Sequence, residues 1–160
     1  GDLNGDGNPD FLVGIPGHER VGGVAVWTFQ PFLKTDVQTL SASAGGTAHL
    51  ELGFPHSAGG QEFTILASLH GTGPTVLWGV DIPLTPDFLY DRLLGGNPPP
   101  PLRGNHGLPD ASGKAAVTFT FPAGVLAPAL GRTFSVAAIA APGPGFVSFA
   151  SVAHRIRILP

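Results

Sequence analysis

Glycine and proline recur so often along this chain that little room is left between them for helices. Of the 160 residues, 24 are Gly and 17 are Pro. Both are poor helix formers, and both favour turns. Such a content is also common in disordered chains, but those are rich in charge and poor in apolar residues. Here 42% of the residues are hydrophobic and 12% are charged. We therefore expect an all-β fold of many short strands.

Apolar and polar residues alternate with period two between these turns, which predicts strands with one buried and one solvated face. The candidate strands are 37–44, 50–54, 63–70, 117–122, 132–141, 146–152 and 155–158. Short helical insertions are predicted at 86–96 and 123–130. The four-proline run at 98–101 predicts an extended spacer or, alternatively, a ligand for a proline-recognition domain. The pattern as a whole predicts an antiparallel β-sandwich with short helical insertions.

Composition argues against several functions. The chain has no Cys, which excludes a disulfide framework, a thiolate nucleophile and a cysteine zinc site. Its net charge is -3, so it lacks the basic footprint of a nucleic-acid-binding protein. No apolar run has the roughly 18 residues of a membrane span. Because Met is also absent and the chain begins inside a motif, we expect that a further segment precedes Gly1.

The first ten residues carry oxygen side chains at the spacing of a calcium loop. Gly7 stands where such a loop turns sharply, and Leu12 stands where an EF-hand would have Glu. The alternative is an Asn/Asp/Gly turn without metal, and Mg²⁺ fits less well because it needs strict octahedral geometry. The sequence therefore predicts a Ca²⁺ site without the EF-hand pattern. The predicted ligands are Asp2, Asn4, Asp6, Asn8 (through its backbone carbonyl) and Asp10.

Residues 2–17, DLNGDGNPDFLVGIPG, resemble an FG-GAP repeat, the unit of integrin-α-like β-propellers. The pattern is a D-x-N-x-D-G-x-x-D loop, an apolar strand at 11–15, which we expect to be buried, and a turn, with the next strand at 22–29. The resemblance implies that the loop binds Ca²⁺ and that such repeats stack. A propeller needs at least about four blades, and this chain holds one repeat. Its strands must pair with the rest of the chain, with upstream β-propeller repeats or with another copy.

The pattern changes after about residue 31, which predicts a calcium-loop β-hairpin at 1–31 and a β-sandwich domain at 32–160. The stretch from Leu40 to Pro160 resembles a C-terminal β-sandwich module of predicted secreted bacterial proteins. The resemblance rests on residues 40–46, 86–94 and 113–125. It implies no activity.

No catalytic motif is written in the sequence, so we predict that the protein is not an enzyme. The six His residues form no metal-binding pair, and no nucleophile elbow or phosphate loop is present. Two acidic residues outside the calcium loop could meet in space as a hydrolytic pair, although turn or capping roles are expected for Asp81, Asp87 and Asp110. Aromatic residues that could form a sugar-stacking platform are Trp27, Trp78 and Tyr90.

These observations favour a non-catalytic structural protein at the cell surface or outside the cell. We expect a calcium-stabilised β-sandwich subunit that self-associates through its N-terminal hairpin into a fibre or sheath, because low charge and apolar strand edges favour association. Its partners would be copies of itself or upstream β-propeller repeats. The alternative is a ligand- or carbohydrate-binding adhesion module at the C-terminus of a larger FG-GAP surface protein, with surface glycans as its partner.

Overall fold

A computed structural model describes residues 11–16, 23–27 and 32–160 of the chain. The chain divides into two compact units, Gly1–Pro31 and Phe32–Pro160. The described part of the first unit is one β-hairpin. The second unit contains the remaining strands, one α-helix and short 3-10 turns.

The hairpin of the first unit joins β1 (Phe11–Ile15) to β2 (Gly23–Trp27) in antiparallel register, with Phe11 opposite Trp27. The strand predicted at 11–15 is confirmed, but the expectation that it is buried is wrong. Phe11 is 63% exposed, Leu12 61% and Val24 67%. A two-stranded ribbon has no second layer of its own to cover either face, so its apolar side chains stay in contact with water.

Eleven strands follow in the second unit, together with helix α1 (Phe88–Leu94). The strands are β3 (Leu33–Thr35), β4 (Thr39–Ser41), β5 (Gly46–Gly53), β6 (Glu62–Ser68), β7 (Thr75–Leu77), β8 (Val80–Ile82), β9 (His106–Gly107), β10 (Lys114–Phe121), β11 (Thr133–Ala141), β12 (Phe149–Ala150) and β13 (His154–Leu159). The 3-10 turns are His56–Ala58, Pro100–Leu102 and Ala127–Ala129. The predicted all-β fold class with short helical insertions is confirmed.

Two larger sheets and one small hairpin organise these strands. The first sheet has three strands in the order β10-β5-β3, and the second has the order β4-β13-β11-β6-β9, with β12 added to β11. β7 and β8 form a separate hairpin. Within the described residues, every pairing is antiparallel except that of β4 with β13. The topology is that of a sandwich with a smaller and a larger sheet.

The alternating apolar residues of the two larger sheets form one core. Phe121 of β10 meets Phe134 of β11 edge to face, with ring centroids 6.4 Å apart. The sheets are also joined by a polar contact, since Nε2 of His154 in β13 donates to the carbonyl oxygen of Leu33 in β3 at 2.7 Å. The fully buried side chains include Leu33, Leu50, Ile65, Val136, Ile156 and Ile158. The alternation predicted around 50–54, 117–122 and 155–158 is thus the inward face of the sandwich.

The central strands β6 and β11 depart from that alternation because both of their faces are covered. In β11 every residue from Phe134 to Ala140 is buried. Leu66 of β6 lies opposite Ala137 of β11, and both are fully buried although they face away from the smaller sheet. Helix α1 packs against β6 and supplies part of the second cover. The prediction of one solvated face is therefore wrong for these two strands.

Other elements differ from the predictions in extent. The segment 37–44 forms only the short strand β4, because Ser41 Oγ accepts the N–H of Ala44 and closes a turn. The segment 146–152 forms only β12, and the proline run ends in the 3-10 turn Pro100–Leu102.

The insertions predicted at 86–96 and 123–130 are confirmed as α1 and the turn Ala127–Ala129. The hairpin β7–β8 was not predicted, since Trp78-Gly79 at its tip is not a common turn dipeptide.

A substitution at Gly45 tests how tightly the backbone before β5 packs against the end of β10. Gly45 and Gly124 both have φ of +75°, but a Cβ on Gly45 would collide with the carbonyl oxygen of Phe121, whereas Gly124 has open space around it. We expect Gly45→Ala to lower the free energy of unfolding by about 2 kcal/mol more than Gly124→Ala, because only Gly45→Ala adds overpacking to the backbone strain. Urea denaturation of both variants measures the difference. Equal losses would contradict the proposed collision.

Candidate functional site

The predicted calcium ligands lie outside the described residues. Asp2, Asn4, Asp6, Asn8 and Asp10 all fall in the segment 1–10. The structure describes the strand that follows, since β1 begins at Phe11, directly after the last predicted ligand. Elsewhere, in residues 11–16, 23–27 and 32–160, no group of three or more acidic or His side chains could hold a metal ion. The Ca²⁺ site at 1–10 therefore stays a prediction.

The three aromatic residues of the predicted platform do not share one environment. Tyr90 lies on α1 and is buried, so it cannot stack on a sugar. Trp78 is 54% exposed at the tip of the β7–β8 hairpin. Its φ of 47° and that of 85° at Gly79 give a two-residue turn with positive φ at both positions. The side chain of Trp27 lies outside the described residues. The platform prediction is wrong for Tyr90, and it leaves Trp78 as the exposed aromatic residue of the second unit's hairpin.

A surface pocket of about 260 Å³ lies on the outer face of the three-stranded sheet. Lys34 of β3 stands opposite Glu51 of β5, and Asp36 Oδ1 accepts the backbone N–H of His49 at 2.8 Å. His49 Nδ1 also shares a hydrogen bond of 2.9 Å with Thr118 Oγ1 on β10. The pocket is lined by Lys34, Thr35, Asp36, His49 and Glu51. The pocket brings Asp36 and Glu51 together, but the carboxylate of Asp36 is already hydrogen-bonded to the backbone of β5.

Asp87 is the most heavily hydrogen-bonded carboxylate that the structure describes. It caps the N-terminus of α1, where its Oδ1 accepts the N–H of Tyr90 at 2.8 Å. Its Oδ2 accepts from the N–H of Leu69 at 2.7 Å and from Ser68 Oγ at 3.2 Å, and lies 3.1 Å from His70 Nδ1. Burial of this side chain, which is 6% exposed, would raise its pKa. The hydrogen bonds outweigh burial, and the pKa of Asp87 is lowered.

Ser68, Asp87 and His70 contain the residue types of a catalytic triad but not its arrangement. In a triad the imidazole lies between the serine hydroxyl and the carboxylate. Here Ser68 Oγ donates to the carboxylate and accepts the backbone N–H of His70 at 3.0 Å. Ser68 is also completely buried, so no substrate carbonyl could reach it. The cluster is a structural cap, as predicted for Asp87, that joins the end of β6 to the start of α1.

Asp110 has the turn role that was predicted for it. Its Oδ1 accepts the backbone N–H groups of Ser112 and Lys114 and the hydroxyl of Ser112. The hydrogen bond from the Ser112 hydroxyl contributes most to a lowered pKa of Asp110. Asp81, by contrast, lies exposed within β8 rather than in a turn or cap. Residue type alone predicted the roles of Asp87 and Asp110, but not the contacts of Asp87 with Ser68 and His70, which lie at the end of β6 and just after it, 17 or more residues earlier in the chain.

Residues 1–29 match the family model of the FG-GAP repeat. The resemblance of this segment is thereby confirmed for the N-terminal unit. The comparisons with curated proteins and with solved structures found no match. The resemblance of Leu40 to Pro160 to a secreted bacterial module stays a prediction. No helix in the described part of the chain is both long and apolar enough to cross a membrane.

The Asp87 cap makes the stability of the second unit depend on pH. A carboxyl with a lowered pKa adds stability above its unfolded value of 3.8 and loses it as pH falls through the folded value. We expect Asp87→Ala to cost about 2 kcal/mol at pH 7, because it removes the cap and leaves the N–H of Leu69 without its partner. The cost should shrink below pH 3.8. Urea denaturation at pH 7 and at pH 3 measures both values.

Asp91→Ala on the exposed face of α1 is the matched control for this prediction. It removes a charge from the same helix without touching β6, so its cost should stay within about 0.5 kcal/mol. An Asp87→Ala variant as stable as Asp91→Ala at pH 7 would contradict the assigned role of the cap.

Proposed function

We propose that this protein is a non-catalytic, extracellular structural module of the adhesion type, which self-associates through its N-terminal FG-GAP hairpin. The observation that carries the proposal is the exposed apolar hairpin β1–β2. Four side chains of β1, Phe11, Leu12, Val13 and Ile15, are all exposed, as is Val24 of β2. A two-stranded sheet of this kind is marginally stable in water. Its apolar faces are suited to packing against a further β-structure.

The FG-GAP match at residues 1–29 supports an extracellular setting and a stacked arrangement. Repeat units of this kind cannot bury their apolar faces alone, and each repeat packs on its neighbours. One match covers the hairpin in this chain. We therefore propose that a second copy supplies the missing neighbour, or that upstream repeats do so. The first arrangement yields a fibre or sheath, the second the terminal module of a propeller.

Calcium would stabilise the hairpin by gathering the acidic side chains of residues 1–10. Three Asp carboxylates within nine residues repel one another unless a cation lies between them, and Ca²⁺ takes six to eight oxygen ligands. Asp10, the last of the predicted ligands, directly precedes β1, so an ordered loop would fix the start of this strand. Ca²⁺ binding would then stabilise the hairpin β1–β2, through which the chain is proposed to self-associate.

Calcium binding is tested on the whole chain. We expect the wild type to bind one Ca²⁺ in isothermal titration calorimetry and to melt at a higher temperature in Ca²⁺ than in EDTA. Asp6→Ala should abolish the heat of binding, because it removes a predicted ligand. Asp81→Ala, which removes an exposed carboxylate from β8, should leave it unchanged. A wild type that gives neither heat nor a shift of melting temperature would contradict the calcium part of the proposal.

Self-association is tested with two exposed valines. Val13 of β1 and Val76 of β7 are 48% and 67% exposed. We expect Val13→Lys to weaken self-association about tenfold or more, because a charge must then be buried at the contact. Val76→Lys should have no effect. Sedimentation velocity over a concentration series measures both. A wild type that stays monomeric, or equal effects of both variants, would contradict association through the hairpin.

A second candidate function rests on Trp78. A bulky residue with positive φ is uncommon and costs conformational energy, which singles out this turn as a point of functional interest. An exposed indole can stack on the apolar face of a sugar ring. The chain would then be a carbohydrate-binding adhesion module. Binding to a glycan array that Trp78→Ala abolishes and Val76→Ala preserves would favour this function over self-assembly.

A further inference from the structure

The edge strand β10 differs from the other sheet edges of residues 32–160 in its length. The two larger sheets end in β3, β4 and β9, which have three, three and two residues. β10 has eight residues and pairs with β5 on one side only among the described strands. Natural sheets protect their edges by keeping them short, charged or interrupted by Pro. β10 lacks the first of these protections.

Along β10, the backbone N–H and C=O groups of every second residue point to the open side of the strand. Gly113 directs its carbonyl toward the β5 side, where the N–H of Phe54 binds it, whereas the N–H and C=O of Lys114 bond to Asp110. In an antiparallel ladder this direction alternates from residue to residue. The N–H and C=O groups that point away from β5 are therefore those of Ala116, Thr118 and Thr120. These are the groups to which an added strand would bond.

The side chains along this edge do not repel a partner. The solvent face carries Ala116, Thr118 and Thr120, all exposed, and the residues from Ala115 to Phe121 include no charge and no Pro. Lys114 stands at one end of the strand, and Pro122 follows the other. The 3-10 turn Pro100–Leu102 lies near β10 but does not pair with it as a strand. The edge is thus a neutral template for strand addition.

The strand β1 has the chemistry of a donor. It is five residues long, it is uncharged, and its large side chains are exposed. Phe11, Val13 and Ile15 alternate onto one face, while Leu12 and Gly14 lie on the other. If the first face continued the core side of β10 beside Val117 and Phe119, Leu12 would lie beside Thr118 on the solvent side. One added strand would then place Phe11, Val13 and Ile15 on the core side and pair the open edge.

We propose that β10 of one copy receives β1 of a second copy as an added strand. The inference rests on the proposed self-association and names its acceptor surface. Because the donor and the acceptor are different surfaces, the contact is heterologous, and every bound copy still has one free donor and one free acceptor. A heterologous contact that does not close into a ring extends into a filament. The geometry thus favours a fibre over a closed dimer.

A proline at residue 118 tests the acceptor. The N–H of Thr118 points away from β5, so Thr118→Pro removes a bond to the added strand but none within the sheet. Thr118→Val is the matched control, since it also loses the hydrogen bond to His49 but keeps its N–H. We expect association in sedimentation velocity to be about tenfold or more weaker for Thr118→Pro and unchanged for Thr118→Val. Circular dichroism checks that both variants fold. If the Pro variant does not fold, Ala116→Lys replaces it.

Cysteine pairing then identifies the contact directly, because the natural chain has no Cys. Leu12→Cys chains are mixed in turn with Ala116→Cys, Thr118→Cys and Thr120→Cys chains, since neighbouring strands place Cα atoms within the range of a disulfide. A disulfide that joins the Leu12→Cys chain to a chain carrying one of the β10 cysteines supports the proposal. If Thr118→Cys pairs only with itself, β10 pairs with β10 and the proposal is overturned.

The failure of this inference is distinct from that of the proposed function. If Val13→Lys weakens association while Thr118→Pro or Ala116→Lys leaves it unchanged, the hairpin associates at another surface, and only the assignment of β10 as acceptor is overturned. If the wild type is monomeric at all concentrations, the proposed self-association fails, and the acceptor assignment fails with it. If the hairpin variant and the β10 variant both weaken association and Thr118→Val does not, the result supports the self-association and the assignment of β10 as its acceptor.

Discussion

Burial of β6 and β11 on both faces is the constraint on which the second unit depends. An exposed sheet face can tolerate polar residues, but Leu66 and Ile139 lie on the faces of these strands that turn away from the smaller sheet. Leaving such side chains in water would forfeit about 25 cal/mol for each Å² of apolar surface. The second face therefore needs a cover, and α1 provides part of it by packing on β6. Ile82 and Leu84, from the end of β8 and just after it, belong to the same core.

Polar contacts hold this cover in place. Asp87 joins the start of α1 to the end of β6 through Tyr90 and Leu69. Asn105, which is completely buried, donates from Nδ2 to the carbonyl oxygens of Ile65 and Leu93 at 3.1 and 3.3 Å. Buried polar groups are stabilising only when they are hydrogen-bonded, so each of these contacts also specifies one position of the helix on the sheet. The same contacts explain why Ser68 and His70 meet a carboxylate without forming a catalytic centre.

The hairpin of the first unit stands in contrast to this arrangement. Its strands have the apolar composition of covered strands, yet Phe11 and Leu12 are exposed. The second unit contains a long edge strand, β10, which pairs with β5 on one side and has no described strand on the other. An exposed apolar ribbon is unusual in a monomeric protein, and a long edge strand without charge or Pro is a template for strand addition. Their occurrence in one chain is the physical basis of the proposed assembly, in which one copy completes the other.

Local sequence patterns predicted the strands whose alternation is local, such as β5, β10 and β13, and the hairpin at residues 11–27, because period two and turn residues stand in neighbouring positions. They also predicted the likeness of residues 1–29 to FG-GAP repeats. Tertiary contacts, in contrast, bury β6 and β11 on both faces, bury Tyr90 while leaving Trp78 exposed, and bring Ser68 and His70 to Asp87. They also leave β10 at the edge of its sheet. Covering layers and strand neighbours come from residues far apart in the chain, so no local pattern records them.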